Sequence, residues 1–106
     1  MRGNVVILPF PFSDLTGSKR RPALVIADLG GDDAILCQIT SRAKFDKYAV
    51  EICMNDFLSG SLPLDSYARP NKIFTADKSL IVSTAGRLND RKIEEVIQSV
   101  VNIFSR

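Results

Sequence analysis

Most of this chain is a succession of short apolar runs, each stopped by proline, glycine or a polar cluster before it could complete a helix. Runs of that length and β-branched content favour strands. Val5–Leu8 is one, closed by Pro9 and Pro11. Ala23–Ala27 and Ala34–Ile39 are two more. The segment 28–33 between them carries Gly30-Gly31, which predicts a hairpin turn. Tyr48–Met54, Tyr67–Thr75 and Leu80–Ala85 complete the set, with 12–18 read as a loop and 55–65 as irregular chain. Only the end differs. Ile93, Val96, Ile97, Val100, Val101 and Phe104 recur at the spacing of one helix face, and Asn89 or Asp90 stands where a cap is needed. Strands in series closed by one helix predict a mainly β (α+β) fold. The helix should pack on the sheet through Val96, Val100 and Phe104.

At 106 residues the chain is read as a single domain, 1–106, and 45% hydrophobic residues suffice for a core. A net charge of +2 is too small for a bulk nucleic-acid coat, so any polyanion site must come from a local cluster. Cys37 and Cys53 lie inside apolar stretches, which suits a reducing, cytoplasmic compartment rather than a disulfide scaffold. No apolar run is long enough to span a membrane, and none reads as a signal peptide. There is no histidine, which removes the commonest general base and a favoured metal ligand.

Three segments could carry chemistry. Lys19-Arg20-Arg21-Pro22 sets three cations between a polar loop and an apolar strand, with Pro22 biasing Arg21 toward an extended backbone. Such a run can hold phosphate, though by charge alone a solvated basic turn looks the same. Thr40-Ser41-Arg42 puts two hydroxyls and a cation at a strand end, as many strand ends do. Tyr67-Ala68-Arg69-Pro70-Asn71-Lys72 mixes an aromatic that could stack a base with an amide that could read its edge, and a plain exposed strand has the same composition. The residues offer a basic, hydroxyl-bearing surface; they do not by themselves name a reaction.

The order of the segments resembles the MazF/PemK toxins, in particular the PemK-like branch. The resemblance rests on Arg2-Gly3-Asn4-Val5-Val6, on Pro9 to Asp14, and on Gly17 through Val25. It continues in Ile39-Thr40-Ser41, in Ser66 through Lys78, and in Gly86-Arg87-Leu88 before the last helix. It implies a small SH3-like, CcdB-like twisted β-barrel with a packed C-terminal helix, a homodimer, and a cytoplasmic MazE/PemI-like antitoxin as partner. It implies cleavage of single-stranded RNA without a metal or other cofactor. The family's catalytic arginine and threonine fall on Arg21 and Thr40. Its arginine that touches RNA falls on Arg69, and Lys19, Arg20, Ser41, Asn71 and Lys72 are the further RNA-binding candidates. Some members carry an acid where this chain has Asn71, and another in the first loop, where Thr16 is nearest; Asn4 replaces the usual acid near the start. Two other functions suit the same barrel: a CcdB-like toxin that poisons gyrase by binding, and a non-catalytic SH3-like module that binds nucleic acid.

Overall fold

The structure is a computed structural model that describes residues 1–11, 18–43 and 46–106. Seven strands form one curled antiparallel sheet, a half-barrel: β1 (Asn4–Pro11), β2 (Ser18–Asp28), β3 (Asp33–Thr40), β4 (Val50–Ile52), β5 (Phe57–Gly60), β6 (Ser66–Asp77) and β7 (Ser83–Leu88). Their order in the sheet is β4-β6-β3-β2-β1-β7-β5. One helix, α1 (Asp90–Phe104), follows. The fold class is therefore the expected one, mainly β with a C-terminal helix.

Strand alternation sorts the apolar residues into two cores. Val5, Leu24, Cys37, Ile39, Val50, Ile52, Ala68 and Leu88 face α1 and pack with its Ile93 and Val96. Val6, Leu8, Ala23, Val25, Ala34 and Leu36 form a second cluster, with Phe10 and Phe74 packed against it. Asn89 caps α1 by accepting from the Lys92 N–H at 2.8 Å. The Lys92 ammonium donates to the Glu51 carbonyl at 3.0 Å and pairs with Glu95 at 2.9 Å, which ties the helix start to β4.

Several expectations need correction. Phe104 does not pack on the sheet: it is 75% exposed, and Val101 is 46% exposed, while Ile93, Val96 and Val100 are buried. The helix runs off the sheet in its last turn, so the apolar periodicity outlasts the surface it could cover. Pro9 and Pro11 do not end β1; they pair in register with Arg20 and Ser18. The reason is geometric. Val82 N donates to Ile7 O, so Ile7 turns its polar groups toward β7. Pro9 and Pro11 share its parity, and their missing N–H groups fall on the side away from β2. The segment 55–65 is not wholly irregular, since a 3-10 turn (Met54–Asp56) leads into β5. Tyr48–Met54 shrinks to the three residues of β4, and the last strand starts at Ser83 after a 3-10 turn at Lys78–Leu80. The loop expected over 12–18 lies outside the described residues except for Ser18, which begins β2.

The Gly30-Gly31 turn is where it was expected. Gly30 has φ +84, which glycine adopts at no steric cost, and its N–H donates to Asp28 Oδ1 at 2.9 Å. Among the described residues no helix is long and apolar enough to cross a membrane.

Candidate nucleic-acid interface

Lys19, Arg20 and Arg21 are not in a turn. They are the second to fourth residues of β2, opposite Phe10, Pro9 and Leu8 of β1. Alternation separates them: Lys19 and Arg21 share the face of Ala23 and Val25, whereas Arg20 shares that of Leu24. The β2–β3 ladder closes with Ala23 opposite Gln38. Ile7 pairs with Pro22 and turns its polar groups to β7, so Pro22 turns its hydrogen-less nitrogen toward β3. The pairing stops there. Two residues beyond the last pair stand Arg21 on one strand and Thr40 on the other, with the same parity.

Arg21 and Thr40 are half-buried, and Lys19, Arg20 and Ser41 are exposed. All five border one cleft of about 240 Å³, together with Leu62, Pro63 and Leu64. The Thr40 hydroxyl oxygen accepts from the Arg42 N–H at 3.1 Å, which leaves the hydroxyl hydrogen to donate to a ligand. Arg21 makes an interaction of its own within the fold.

A wider depression of about 1100 Å³ adjoins this cleft and shares Ser41 with it. Arg69 and Asn71 line it, together with Arg42, Asp46, Lys47, Tyr48 and Tyr67. Arg69 Nε donates to Asp46 Oδ2 at 2.9 Å, and the side chains of the two are 27% and 10% exposed. Burial would raise the Asp46 carboxyl, but the Tyr48 N–H and the Arg69 guanidinium outweigh it and hold the group below its ordinary value. The sequence had no signal for Asp46, since 23 residues separate it from the arginine it orients. The Tyr48 ring carries two cations, Lys47 Nζ 5.2 Å and the Arg106 guanidinium 5.5 Å from its centre. The Arg106 guanidinium also donates to the Tyr48 hydroxyl, which lowers the phenol's pKa.

Lys72 is not with Arg69 and Asn71. It lines a separate groove of about 560 Å³ beside Phe10 and Phe74, whose rings meet edge to face at 5.1 Å. The site residues therefore form two adjoining groups and one outlier. Both thiols are free, and neither borders these two clefts. Burial pushes Cys37 up to about 12. The Glu51 carboxylate beside Cys53 pushes it up to about 11. Neither is a ready nucleophile. Among the described residues no group of three or more His, Cys, Asp or Glu side chains is placed to hold a metal ion.

A curled antiparallel half-barrel closed by one helix is a fold that known toxin structures share. Residues 1–104 match the family of PemK-like, MazF-like toxins of type II toxin-antitoxin systems, and the chain belongs to that family. The fold is that of several solved structures. A MazE-MazF crystal structure from Deinococcus radiodurans superposes with a TM-score of 0.77 at 21% identity, covering 97% of this chain and 94% of that one. An endoribonuclease from a mycobacterial species gives 0.74 at 16% identity, with 99% and 90% covered. The Mycobacterium tuberculosis toxin MazF-mt6 gives 0.68 at 14% identity, with 94% and 96% covered. A search of the curated proteins finds no match.

Proposed function

We propose that residues 1–106 are one toxin domain, a metal-independent endoribonuclease that cleaves single-stranded RNA in the cytoplasm. The observation that carries this reading is the placement of Arg21 and Thr40 at matched positions just past the end of the β2–β3 ladder, bordering a cleft with Lys19, Arg20 and Ser41. Membership of the toxin family and the likeness to structures described as endoribonucleases support it. The likeness to MazE-MazF complexes supports an antitoxin partner for this chain too. The dimeric habit implied by the family extends to it as a homodimer.

RNA carries its own nucleophile. The 2′-oxygen attacks the adjacent phosphorus as its proton passes to water, the bond from phosphorus to the 5′-oxygen breaks, and that oxygen takes a proton from water as it leaves. The products are a 2′,3′-cyclic phosphate and a 5′-hydroxyl. The transition state gathers negative charge on the non-bridging oxygens, and a planar guanidinium can hold two of them at once. That is the role given to Arg21. Its part is electrostatic, through its charge and its paired N–H donors. Thr40 adds a hydroxyl donor to the same phosphate. Lys19 and Arg20 raise the local positive potential and draw the backbone in. Ser41, shared by both clefts, contacts the strand as it passes between them; Arg69 and Asn71 contact the adjoining nucleotides, and Lys72 meets the RNA beyond them.

The test is RNA cleavage by the purified protein and by its Arg21→Ala variant. Cleavage by the first and its near loss in the second support the assignment. Equal activity in both contradicts it.

A further inference from the structure

The wide depression beside the phosphate cleft has a feature that backbone binding does not require: one of its two arginines is already oriented. Arg69 Nε is spent on Asp46 Oδ2 at 2.9 Å. Asp46 is fixed in turn, because its Oδ1 accepts from Tyr48 N at 2.9 Å and its main chain bonds Ala43 and Ala49. Among the described residues Asp46 is the only partner of the Arg69 guanidinium, so both terminal amino groups are left to the depression. A guanidinium held through Nε presents those two groups side by side. That geometry matches two acceptors of a guanine, O6 and N7. An arginine meant only for phosphate has no need of a nearly buried carboxylate, which subtracts charge from the site.

Stacking supplies the second half. A single-stranded base needs an aromatic face. The Tyr48 ring is already engaged by Lys47 and Arg106. Tyr67, half-buried in the same wall, has no ring or cation against it among the described residues. It stands two residues before Arg69, on the same face of β6.

We infer that this depression is a guanine-reading subsite: Arg69 binds the O6/N7 edge of an unpaired guanine stacked on Tyr67, and Asp46 is the positioning residue that aims Arg69. The inference rests on the ribonuclease reading for its substrate class and adds the base. Because Ser41 borders both clefts, that guanine would lie within a nucleotide or two of the scissile bond.

The experiment is a binding measurement, so it stands apart from cleavage. The probes are 2′-fluoro hexamers of uridine with one internal position varied, which lack the 2′-hydroxyl and are not cut. Guanine at that position should bind about tenfold tighter than adenine, within the range of one good bidentate contact. Inosine, which keeps O6 and N7, should bind like guanine. 7-Deazaguanine, which lacks N7, should lose most of the preference. Asp46→Asn should bring the guanine-to-adenine ratio close to one while affinity for the all-uridine hexamer holds or rises, a split that mere unfolding would not give. Equal binding of guanine and adenine by the wild-type protein overturns the inference. So does a preference for adenine, which would point to Asn71, or retention of 7-deazaguanine with loss of inosine. If the guanine preference holds and no RNA is ever cleaved, the subsite stands and the nuclease reading falls.

Discussion

Arg21 and Thr40 stand two residues past the last pair of the β2–β3 ladder, on opposite strands and with the same parity, where Pro22 has no N–H to continue the pairing. Ala23, two residues along β2 from Arg21, and Ile39, next to Thr40 on β3, are fully buried and anchor the two strands just short of these side chains. A phosphate between them would meet a guanidinium from one strand and a hydroxyl from the other.

Neither residue belongs to the two buried clusters, so removing either should leave the core intact. Arg21→Ala and Thr40→Ala should each reduce cleavage by about a hundredfold or more, since one lost contact to developing charge costs roughly 3 kcal/mol. Melting temperatures should move little. Arg21→Lys should also fail, because a point charge cannot hold two oxygens in one plane. Arg69→Ala and Asn71→Ala should leave residual turnover and weaken RNA binding. Cleavage rates beside thermal melts distinguish these outcomes.

The helix face makes a contrasting set. Ile93→Ala should cost about 2–5 kcal/mol, because that side chain is 1% exposed in the core between α1 and the sheet. Phe104→Ala should cost less than about 0.5 kcal/mol, in keeping with an exposed side chain away from any special feature. Gly60→Ala should be severe: Gly60 has φ +68, and a Cβ there would strike the Ala85 carbonyl. Urea melts of the three variants check all of this.

That contrast also shows how much the sequence revealed. Ile93, Val96 and Val100 are core because periodicity finds one face of a helix. Periodicity cannot say where the sheet beneath it ends, and so Phe104 was misread. The Gly30-Gly31 turn was legible because its chemistry is local. The course of β1 through Pro9 and Pro11 was not, because whether a proline breaks a strand depends on which neighbour its nitrogen faces. Arg21 and Thr40 were reached through the resemblance of their segments to a family, and the register of β2 and β3 then brought them together. Asp46 was missed because an ion pair across the fold leaves no trace in spacing, and the run Arg69 to Lys72 hid a division between two grooves.

Acid should destabilise the protein through carboxyls that the fold holds below their ordinary values. Asp46 is held below its ordinary value despite its burial, by Tyr48 N–H and Arg69. Asp28 is lowered too, first by the Lys78 ammonium at 2.6 Å and then by the Gly30 N–H. A carboxyl whose folded pKa is depressed contributes stability above its unfolded pKa of about 3.9 and loses it as pH falls through the folded value. The melting temperature should therefore be flat near neutrality and fall below about pH 4. Asp46→Asn should lie lower at neutral pH and show a shallower acid slope. Thermal melts from pH 7 to pH 2 provide the comparison.

Expression of the chain alone should arrest bacterial growth, and co-expression of its antitoxin should relieve the arrest. An antitoxin segment that covers Lys19 to Arg21 and the Arg69 depression should be acidic and disordered until bound, because it must neutralise cations and follow two clefts that adjoin at Ser41. Plating under an inducible promoter tests the first statement. Circular dichroism of the free antitoxin tests the second.

Incubation of the purified protein with single-stranded RNA in excess EDTA, with mapping of the new ends and a parallel substrate carrying 2′-deoxyribose at the cut position, separates a 2′-hydroxyl nuclease from a binding protein. Cleavage is expected in EDTA, leaving a 2′,3′-cyclic phosphate facing a 5′-hydroxyl, with none on the 2′-deoxy substrate. Intact RNA in the presence of gyrase inhibition, or cleavage that persists on the 2′-deoxy substrate, would contradict it.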